Sequence, residues 1–221
     1  MIPMKIGIIS DTHNLLRPEV LSALNGCEAI LHAGDICRQE IVDELEKLAP
    51  VYVVRGNNDK EWAEHIPFYL DFELAGLRVF MTHKKTDFPD DLSPYDLVVF
   101  GHSHKYSESH QDRTLLLNPG CCGPRRFNQP ITFAILETED RNNAVSRIEI
   151  PHKGNPLAVP KQEDLKAQIA TVVMEIQKGR SPEKIAIRHG WNVDLVEQIA
   201  RLYVTHPDVT VDGIMEKMGV K

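Results

Sequence analysis

The chain has 221 residues, of which 42% are hydrophobic and 26% are charged, and its formal net charge is −7. These proportions are typical of a globular protein with one sizeable core and an appendage. Because the sequence contains neither an apolar stretch of about 20 residues nor a charged-then-apolar leader, we expect a cytoplasmic protein without a membrane span. The negative charge argues against a general nucleic-acid binder, since duplexes are held mostly through basic contacts to phosphate.

Five short apolar runs in the first half of the chain predict buried strands, because they are rich in β-branched residues and nearly uninterrupted. The runs are Lys5–Ser10, Ala29–Ala33, Val51–Arg55, Leu77–Thr82 and Asp96–Gly101. Two segments with helical apolar spacing, Pro18–Leu24 and Gln39–Leu48, lie between the first three runs. Strands that alternate with helices pair in parallel, so we predict a βαβαβ beginning.

From Tyr69 onward, pairs of runs flank short turns, which predicts antiparallel hairpins. The pairs are Tyr69–Leu74 with Leu77–Thr82, Lys105–His110 with Thr114–Leu117, and Ile131–Glu137 with Val145–Ile150, the last around Arg141-Asn142-Asn143. We therefore predict an α/β fold, a two-sheet β-sandwich flanked by helices, which is parallel in its first half and antiparallel in its second.

The stretch Pro151–Pro160 holds three prolines and a glycine and predicts a linker. It separates a domain over residues 1–153 from a C-terminal all-α helical extension over residues 154–221. In that extension, apolar spacing and capping residues predict four helices. They cover Gln162–Lys178, Ser181-Pro182 to about Gly190, Val193–Val204, and Thr210 to Met218.

The extension also matches the spacing of a helix-turn-helix, through Ile185, Ala186, Gly190, Trp191, Val196 and Ile199. Its charge argues against DNA binding, because residues 161–221 carry nine basic and nine acidic side chains. Asp194 and Glu197 also lie near the end of the helix that should meet base edges. We therefore expect compact helical packing, with oligomerisation or a lid as the functional alternative.

Polar residues that can bind a metal follow each of the five apolar runs. In layered folds the loops after the carboxyl ends of strands converge into a site. Carboxylates, an amide and imidazoles suit Mn, Fe, Ni, Zn or Co, and seven candidates indicate two ions that share a carboxylate. Two of the pairs are two residues apart, so in extended segments each pair points to one side. The seven are Asp11, His13, Asp35, Asn57, His83, His102 and His104.

These motifs, D-x-H, G-D, G-N-x-D, H and G-H-x-H in this order, resemble the calcineurin-like metallophosphoesterases. The S-D-T-H-N start and Asn118-Pro119-Gly120 resemble the small YfcE-like phosphodiesterase branch, and the resemblance covers roughly residues 1–153. It implies that one ion is held by Asp11, His13, Asp35 and His104, and the other by Asp35, Asn57, His83 and His102. Two ions about 3.5–4 Å apart would lower the pKa of a shared water toward 7 and generate a hydroxide for attack on phosphorus.

Two positions depart from the wider superfamily. Asn58 stands where many members carry a histidine, and Lys84-Lys85 stands where the small branch often has Gly-His. Asn cannot donate a proton near neutral pH, so the general acid is in doubt. We expect the lysines to be solvated, with contact to a substrate phosphate as the alternative. Asp59 either orients a histidine ligand or Asn58, or is a surface turn carboxylate.

The sequence therefore indicates a hydrolase, a metallophosphoesterase that acts on a small phosphate ester, most simply a phosphodiester. Asp35, Asn58 and Asp59 are its candidate catalytic residues, and its expected cofactors are two divalent metal ions, with manganese favoured. The first alternative is a non-catalytic protein-binding scaffold that resembles the retromer subunit of this fold. The second is a nucleic-acid phosphoesterase that uses the C-terminal helices, which could also mediate a homo-oligomer.

Overall fold

The computed structural model describes residues 4–124, 129–139, 142–151, 162–191, 193–206 and 208–218. They divide into two compact units, the first within residues 1–123 and 129–150 and the second within residues 124–128 and 151–221. The predicted linker lies outside the described residues except for Pro151. No helix of the described ranges is both long and apolar enough to cross a bilayer.

The first sheet of the first unit has the strand order β10-β9-β1-β2-β3. Its members are β1 (Met4–Ile9), β2 (Ala29–His32), β3 (Val51–Val53), β9 (Ile131–Glu139) and β10 (Asn142–Ile150). Strands β1, β2 and β3 pair in parallel, whereas β9 pairs antiparallel with both β1 and β10. The pairing of Asn142 with Glu139 extends the hairpin into the predicted Arg141-Asn142-Asn143 turn.

The second sheet has the order β4-β5-β6-β8-β7. It contains β4 (Tyr69–Leu74), β5 (Leu77–Thr82), β6 (Leu97–Val99), β7 (Ser107–Gln111) and β8 (Thr114–Asn118). Strands β5, β6 and β8 are parallel to one another, whereas the outer strands β4 and β7 form antiparallel hairpins with β5 and β8.

The prediction of a fold that is parallel first and antiparallel later is therefore wrong in its detail. Both sheets are mixed, because β9 returns to the first sheet and lies against β1, while β5, β6 and β8 run in parallel within the second. The three predicted hairpins are confirmed, but these long-range pairings have no local sequence signature. The predicted class, a two-sheet sandwich flanked by helices, is confirmed.

The sandwich core lies between the two sheets and joins β1 and β2 residues such as Ile8 and Leu31 to Val79 and Leu117 of the second sheet. The outer face of the first sheet is covered by α1 (Pro18–Leu24) and α2 (Gln39–Glu46). Helix α1 begins with Pro in its first turn, where no intrahelical N–H bond is lost. Its Val20 and Leu24, one turn apart, bury the apolar face.

The second unit contains four helices within its described residues: α3 (Gln162–Gln177), α4 (Pro182–His189), α5 (Val193–Thr205) and α6 (Val211–Lys217). They share one apolar core that includes Leu165, Ile185, Val196 and Ile214. The Ser181 hydroxyl caps α4, and Gly190 ends that helix with a φ of 65°. Thr210 caps α6 as predicted, so the four predicted helices are confirmed within one or two residues at each end.

Candidate metal centre

The loops that follow β1, β2, β3, β5 and β6 meet at one end of the sandwich. Backbone hydrogen bonds connect them: Asp11 N–H donates to Gly34 O and His13 N–H to Asp35 O, both at 3.0 Å. Gly101 N–H donates to the carbonyl of His83, also at 3.0 Å. The carboxyl ends of the predicted strands therefore bring together residues that are up to about 90 positions apart in the sequence.

Four of the seven predicted ligands form a tight buried cluster, in which one ligand atom from each lies within 4.8 Å of all the others. His104 Nε2 is 3.1 Å from Asp11 Oδ1, and His13 Nε2 is 3.7 Å from Asp35 Oδ2. The Nε2 atoms of His13 and His104 face each other at 3.3 Å, and the two rings are stacked. These four residues are the set that the sequence resemblance assigns to one ion.

The remaining three predicted ligands are His83, His102 and Asn57. His83 is buried, and its Nε2 is 3.5 Å from Asp35 Oδ1. The ring of His102, which is exposed, meets the ring of His83 edge-on at 5.2 Å between centroids. Asn57 is also exposed, and its backbone carbonyl accepts a hydrogen bond from Lys60 Nζ at 3.3 Å. His102 and Asn57 are thus more exposed than the other five predicted ligands.

The donor set fits a divalent cation. Asp11 Oδ1 and His83 Nε2 are buried but make no hydrogen bond to any described residue. A buried polar atom without a partner is costly, and coordination of a cation would satisfy both atoms. The contact between His83 Nδ1 and the Ala33 carbonyl, at 2.7 Å, requires the proton on Nδ1 and leaves Nε2 as a lone-pair donor.

Electrostatics keep both carboxylates ionised. Burial opposes ionisation of Asp11, but the adjacent rings of His13 and His104 outweigh it and lower the pKa of Asp11. Burial likewise opposes ionisation of Asp35, yet His83 and the backbone N–H of Asn58 hold its pKa far below the usual range. Both carboxylates are therefore ionised at neutral pH, as a cation site requires.

Five of the seven predicted ligands occupy the left-handed region of backbone space. The φ angles are 56° for Asp11, 43° for His13, 57° for Asp35, 67° for His102 and 58° for His104. The prediction that the two pairs lie in extended segments is therefore wrong. Such conformations cost energy for residues other than glycine and concentrate at functional sites, where the surrounding structure enforces them.

Asp59 is buried and organises two of the converging loops. Its carboxylate accepts hydrogen bonds from the backbone N–H groups of Asp35 (2.9 Å), Cys37 (2.6 Å) and Gly56 (2.7 Å). With 3% of its surface exposed, it is not a surface turn carboxylate. These three bonds go to backbone groups, and their effect is to hold the loop that presents Asp35.

Asn118 has a role that the sequence did not reveal. Its Nδ2 donates to Gly101 O at 2.7 Å and to Ser103 Oγ at 3.1 Å, while its Oδ1 accepts from Gly120 N–H at 2.9 Å. It therefore fixes the loop that carries His102 and His104. The Asn-Pro-Gly motif was a visible signal, but only the packing of β8 against β6 shows what it holds.

Close packing at the loops also explains two glycines. A Cβ atom on Gly34, whose φ is +88°, would lie 2.8 Å from His83 Nδ1. One on Gly101 would lie 2.9 Å from the Ala33 carbonyl and from Asp11 Oδ2. Both distances are shorter than ordinary van der Waals contact, so the absence of a side chain at these positions allows the ligand-bearing loops to approach.

Further groups surround the Asp11–His13 loop. The buried ring of His32 contacts Thr12 Oγ1 through Nε2 at 3.0 Å. The half-buried thiol of Cys37 lies 3.7 Å from His13 Nδ1, on the side of the ring opposite the cluster. His13 therefore has contacts on both sides of its ring.

Lys84, directly after His83, is partly exposed, and Lys85 is exposed.

Residues 4–141 match the family model described as the calcineurin-like phosphoesterase superfamily domain. The chain belongs to this superfamily, as the order of its motifs indicated. It is 36% identical over 168 residues to a probable metallophosphoesterase of Methanothermobacter thermautotrophicus, an alignment that covers 70% of this chain and 95% of the relative. It is 32% identical over 161 residues to a phosphodiesterase of Methanocaldococcus jannaschii, covering 62% of this chain and 95% of that protein.

The fold is also similar to that of Vps29 from Entamoeba histolytica, solved in complex with Zn²⁺. The TM-score is 0.52 at 23% identity, and the match covers 66% of this chain and 99% of Vps29. At this level of identity the similarity shows a shared fold only.

Proposed function

We propose that this protein is a metal-dependent phosphodiesterase that uses two divalent ions. The observation that carries the proposal is the convergence of Asp11, His13, Asp35 and His104 into one buried cluster within 4.8 Å. Membership of the calcineurin-like phosphoesterase superfamily supports the reaction class. The relative named a phosphodiesterase, at 32% identity over nearly its whole length, supports a diester as substrate.

Asp35 is the residue that bridges the two ions in this proposal. Its Oδ2 faces His13 Nε2 at 3.7 Å, whereas its Oδ1 faces His83 Nε2 at 3.5 Å. One carboxylate oxygen is thus directed toward each half of the site, which is the geometry a shared ligand needs. We assign Asp11, His13 and His104 to the first ion with Asp35, and Asn57, His83 and His102 to the second.

Bound divalent ions would supply an activated water for attack on phosphorus and would neutralise charge on the phosphoryl oxygens. The protein's own residues fix that arrangement. The Ala33 carbonyl sets the tautomer of His83, and Asp59 and Asn58 hold Asp35 from its backbone and its carboxylate. Among first-row metals the donor set accepts several ions, with manganese our favoured ion.

Leaving-group protonation is the weak part of the machinery. Asn58 directs its side-chain N–H toward Asp35 Oδ2 at 2.6 Å, and an amide cannot release a proton near neutral pH. Loss of a general acid typically costs about 10²–10⁴-fold for a poor leaving group. We therefore expect the rate to depend strongly on the pKa of the leaving alcohol or phenol.

The direct test is hydrolysis of bis(p-nitrophenyl) phosphate by purified protein that has been stripped of metal and reloaded with Mn²⁺ or Ni²⁺. Asp35→Asn should abolish turnover and weaken metal uptake, because it removes the shared negative charge. Asp90→Asn, at an exposed loop carboxylate, is the matched control and should leave both unchanged. Absence of turnover across several divalent ions, with metal bound, would exclude the enzymatic proposal.

A second candidate is a protein-binding scaffold, and the similarity to the fold of Vps29 is the observation that favours it. Against it stands the complete set of seven donor side chains, with five of them buried. A scaffold that binds metal without catalysis would take up the ion in the experiment above and give no turnover. The two candidates therefore differ in the outcome of one measurement.

A further inference from the structure

Phe68 and Tyr69 are unusual in the first unit because they are large apolar side chains left in solvent. Their exposed fractions are 64% and 60%, and the other large hydrophobic residues with such exposure in the described chain belong to the second unit. Single exposed apolar residues are common on proteins. Here two are adjacent in the sequence, and the segment that carries them lies beside the loop of Arg55 and Asn57.

Phe68 lies between two loops that carry proposed metal ligands. Its carbonyl accepts a hydrogen bond from Thr82 Oγ1 at 3.2 Å, and Thr82 directly precedes His83. The preceding carbonyl, of Pro67, accepts from Arg55 N–H at 2.8 Å, and Arg55 is two positions before Asn57. The Phe68 backbone is therefore connected to a residue next to His83 and, through Pro67, to a residue two positions before Asn57.

The ring of Phe68 is paired with a fixed cation. The Arg55 guanidinium carbon lies 5.5 Å from the centroid of the ring. Arg55 Nε donates to Asp59 O and Nη2 to Lys60 O, both at 3.0 Å, so the loop holds the guanidinium in place. Lys60 Nζ adds a second positive charge beside Asn57. The result is an aromatic surface with two cations at the margin of the site, on a chain whose net charge is −7.

We propose that Phe68 and Arg55 bind a planar aromatic group on the phosphodiester substrate, in particular the base of a nucleoside ester. This inference rests on the proposed function, because the phosphate must be held at the Asp35 and His83 end. In a nucleoside ester one sugar separates the phosphate from the base. This separation suits a Phe68 ring that lies one loop away from the Asp35 and His83 end. Stacking on an aromatic ring and contact with a guanidinium are the usual means of binding a base without reading its identity.

A nucleoside fits this surface better than a second copy of the chain. A stable protein interface buries roughly 800 Å² on each partner around an apolar centre. Here the two exposed rings do not form one such centre, because they have different partners. Tyr69 stacks on Phe80, a member of an apolar cluster of the second sheet, at 5.7 Å between centroids, whereas Phe68 contacts Arg55. A single ring beside a guanidinium matches a small planar ligand.

The test compares two diesters with the same leaving group, thymidine p-nitrophenyl phosphate and methyl p-nitrophenyl phosphate, on the metal-loaded full chain. Phe68→Ala should raise KM for the thymidine ester relative to the methyl ester by about 5- to 100-fold, as expected for loss of one base stack. Phe68→Trp should preserve the preference, since it keeps an aromatic face. Tyr69→Ala, a neighbour of equal exposure, is the matched control and should leave the ratio of KM values unchanged.

A binding measurement provides a second readout that does not depend on turnover. Thymidine monophosphate titrated calorimetrically into metal-loaded protein should bind more tightly than methyl phosphate, and Phe68→Ala should remove the difference. If neither diester is hydrolysed, the proposed function fails, whereas an unchanged KM ratio in an active Phe68→Ala protein overturns this inference alone. Concentration-dependent dimers that Phe68→Ala abolishes, with the ratio unchanged, would also overturn it.

Discussion

Asn58 donates hydrogen bonds to both carboxylate oxygens of Asp35. Its backbone N–H reaches Oδ1 at 2.7 Å, and its side-chain Nδ2 reaches Oδ2 at 2.6 Å. The two bonds fix the plane of the carboxylate between His13 and His83. At the position where the superfamily often carries histidine, this chain therefore has a residue that orients the proposed bridging ligand.

We predict that Asn58→Ala lowers the affinity for Mn²⁺ by about 10- to 100-fold, the usual effect of losing a partner of a metal ligand. The backbone bond to Oδ1 remains, so Asp35 should still bind, but with a less restricted orientation. Isothermal titration of the metal-free protein measures the change. Asn25→Ala, at the exposed end of α1, is the control, and equal affinities in the two variants would contradict a role for the Asn58 side chain.

Asp59 should contribute chiefly to stability. Its carboxylate accepts from the backbone N–H groups of Asp35, Cys37 and Gly56 while nearly fully buried. Asp59→Ala leaves these donors without a partner, and we expect a loss of about 2–4 kcal/mol in the free energy of unfolding of the metal-free protein. Urea denaturation followed by circular dichroism measures it. A loss below about 0.5 kcal/mol, typical of a surface substitution, would show that the three bonds are dispensable.

Much of the fold followed from local patterns. The apolar runs that end before Asp11, Asp35 and His83 are buried strands, and their common orientation brings the polar residues to one end of the sandwich. Helix α1 was predicted with its observed bounds, because Pro18 and the spacing of Val20 and Leu24 are local signals. The ligands thus converge because the strands that precede them run in the same direction, and this direction can be predicted from the sequence.

The details that were missed depend on contacts distant in sequence. The return of β9 to pair with β1 joins Ile6 to Leu136, across most of the first unit. The left-handed conformations of Asp11 and His104 arise because neighbouring loops enforce them. No residue pattern near either position predicts these conformations. The same holds for Asn118, whose partners Gly101 and Ser103 are 17 and 15 positions away.

His32 makes the stability of the metal-free protein depend on pH. Burial lowers its pKa to about 3, with the attraction of Asp11 only partly offsetting the effect. The unfolded chain takes up this proton near pH 6.5 and the folded protein does not. The stabilising contribution is therefore present above about pH 6.5 and is lost progressively as the pH falls toward about 3.

We predict that His32→Gln, which keeps a polar partner for Thr12, gains about 2 kcal/mol relative to the original protein between pH 7 and pH 5. Only the difference between the two proteins is informative, because every other titratable group is common to both. Urea denaturation of metal-free samples at the two pH values gives this difference. A difference that does not vary with pH would mean that burial does not shift the pKa of His32.

Each unit has its own apolar core, and this leads to a prediction about the boundary at residue 154. Among the described residues, the clusters of the first unit contain residues from Met4 to Ile150, and the cluster of the second contains residues from Leu165 to Met218. A chain that ends at Asn155 removes one core completely and leaves the others intact. We therefore predict that it folds, binds Mn²⁺ within about threefold of the full-length affinity and melts cooperatively. A chain that ends at Pro130, before β9, should not fold because β1 loses its antiparallel partner strand. Calorimetric titration and thermal denaturation of both truncations, beside the full chain, measure these outcomes. If the chain ending at Asn155 folds but no longer binds metal, the second unit contributes to the site and the proposed domain boundary is wrong.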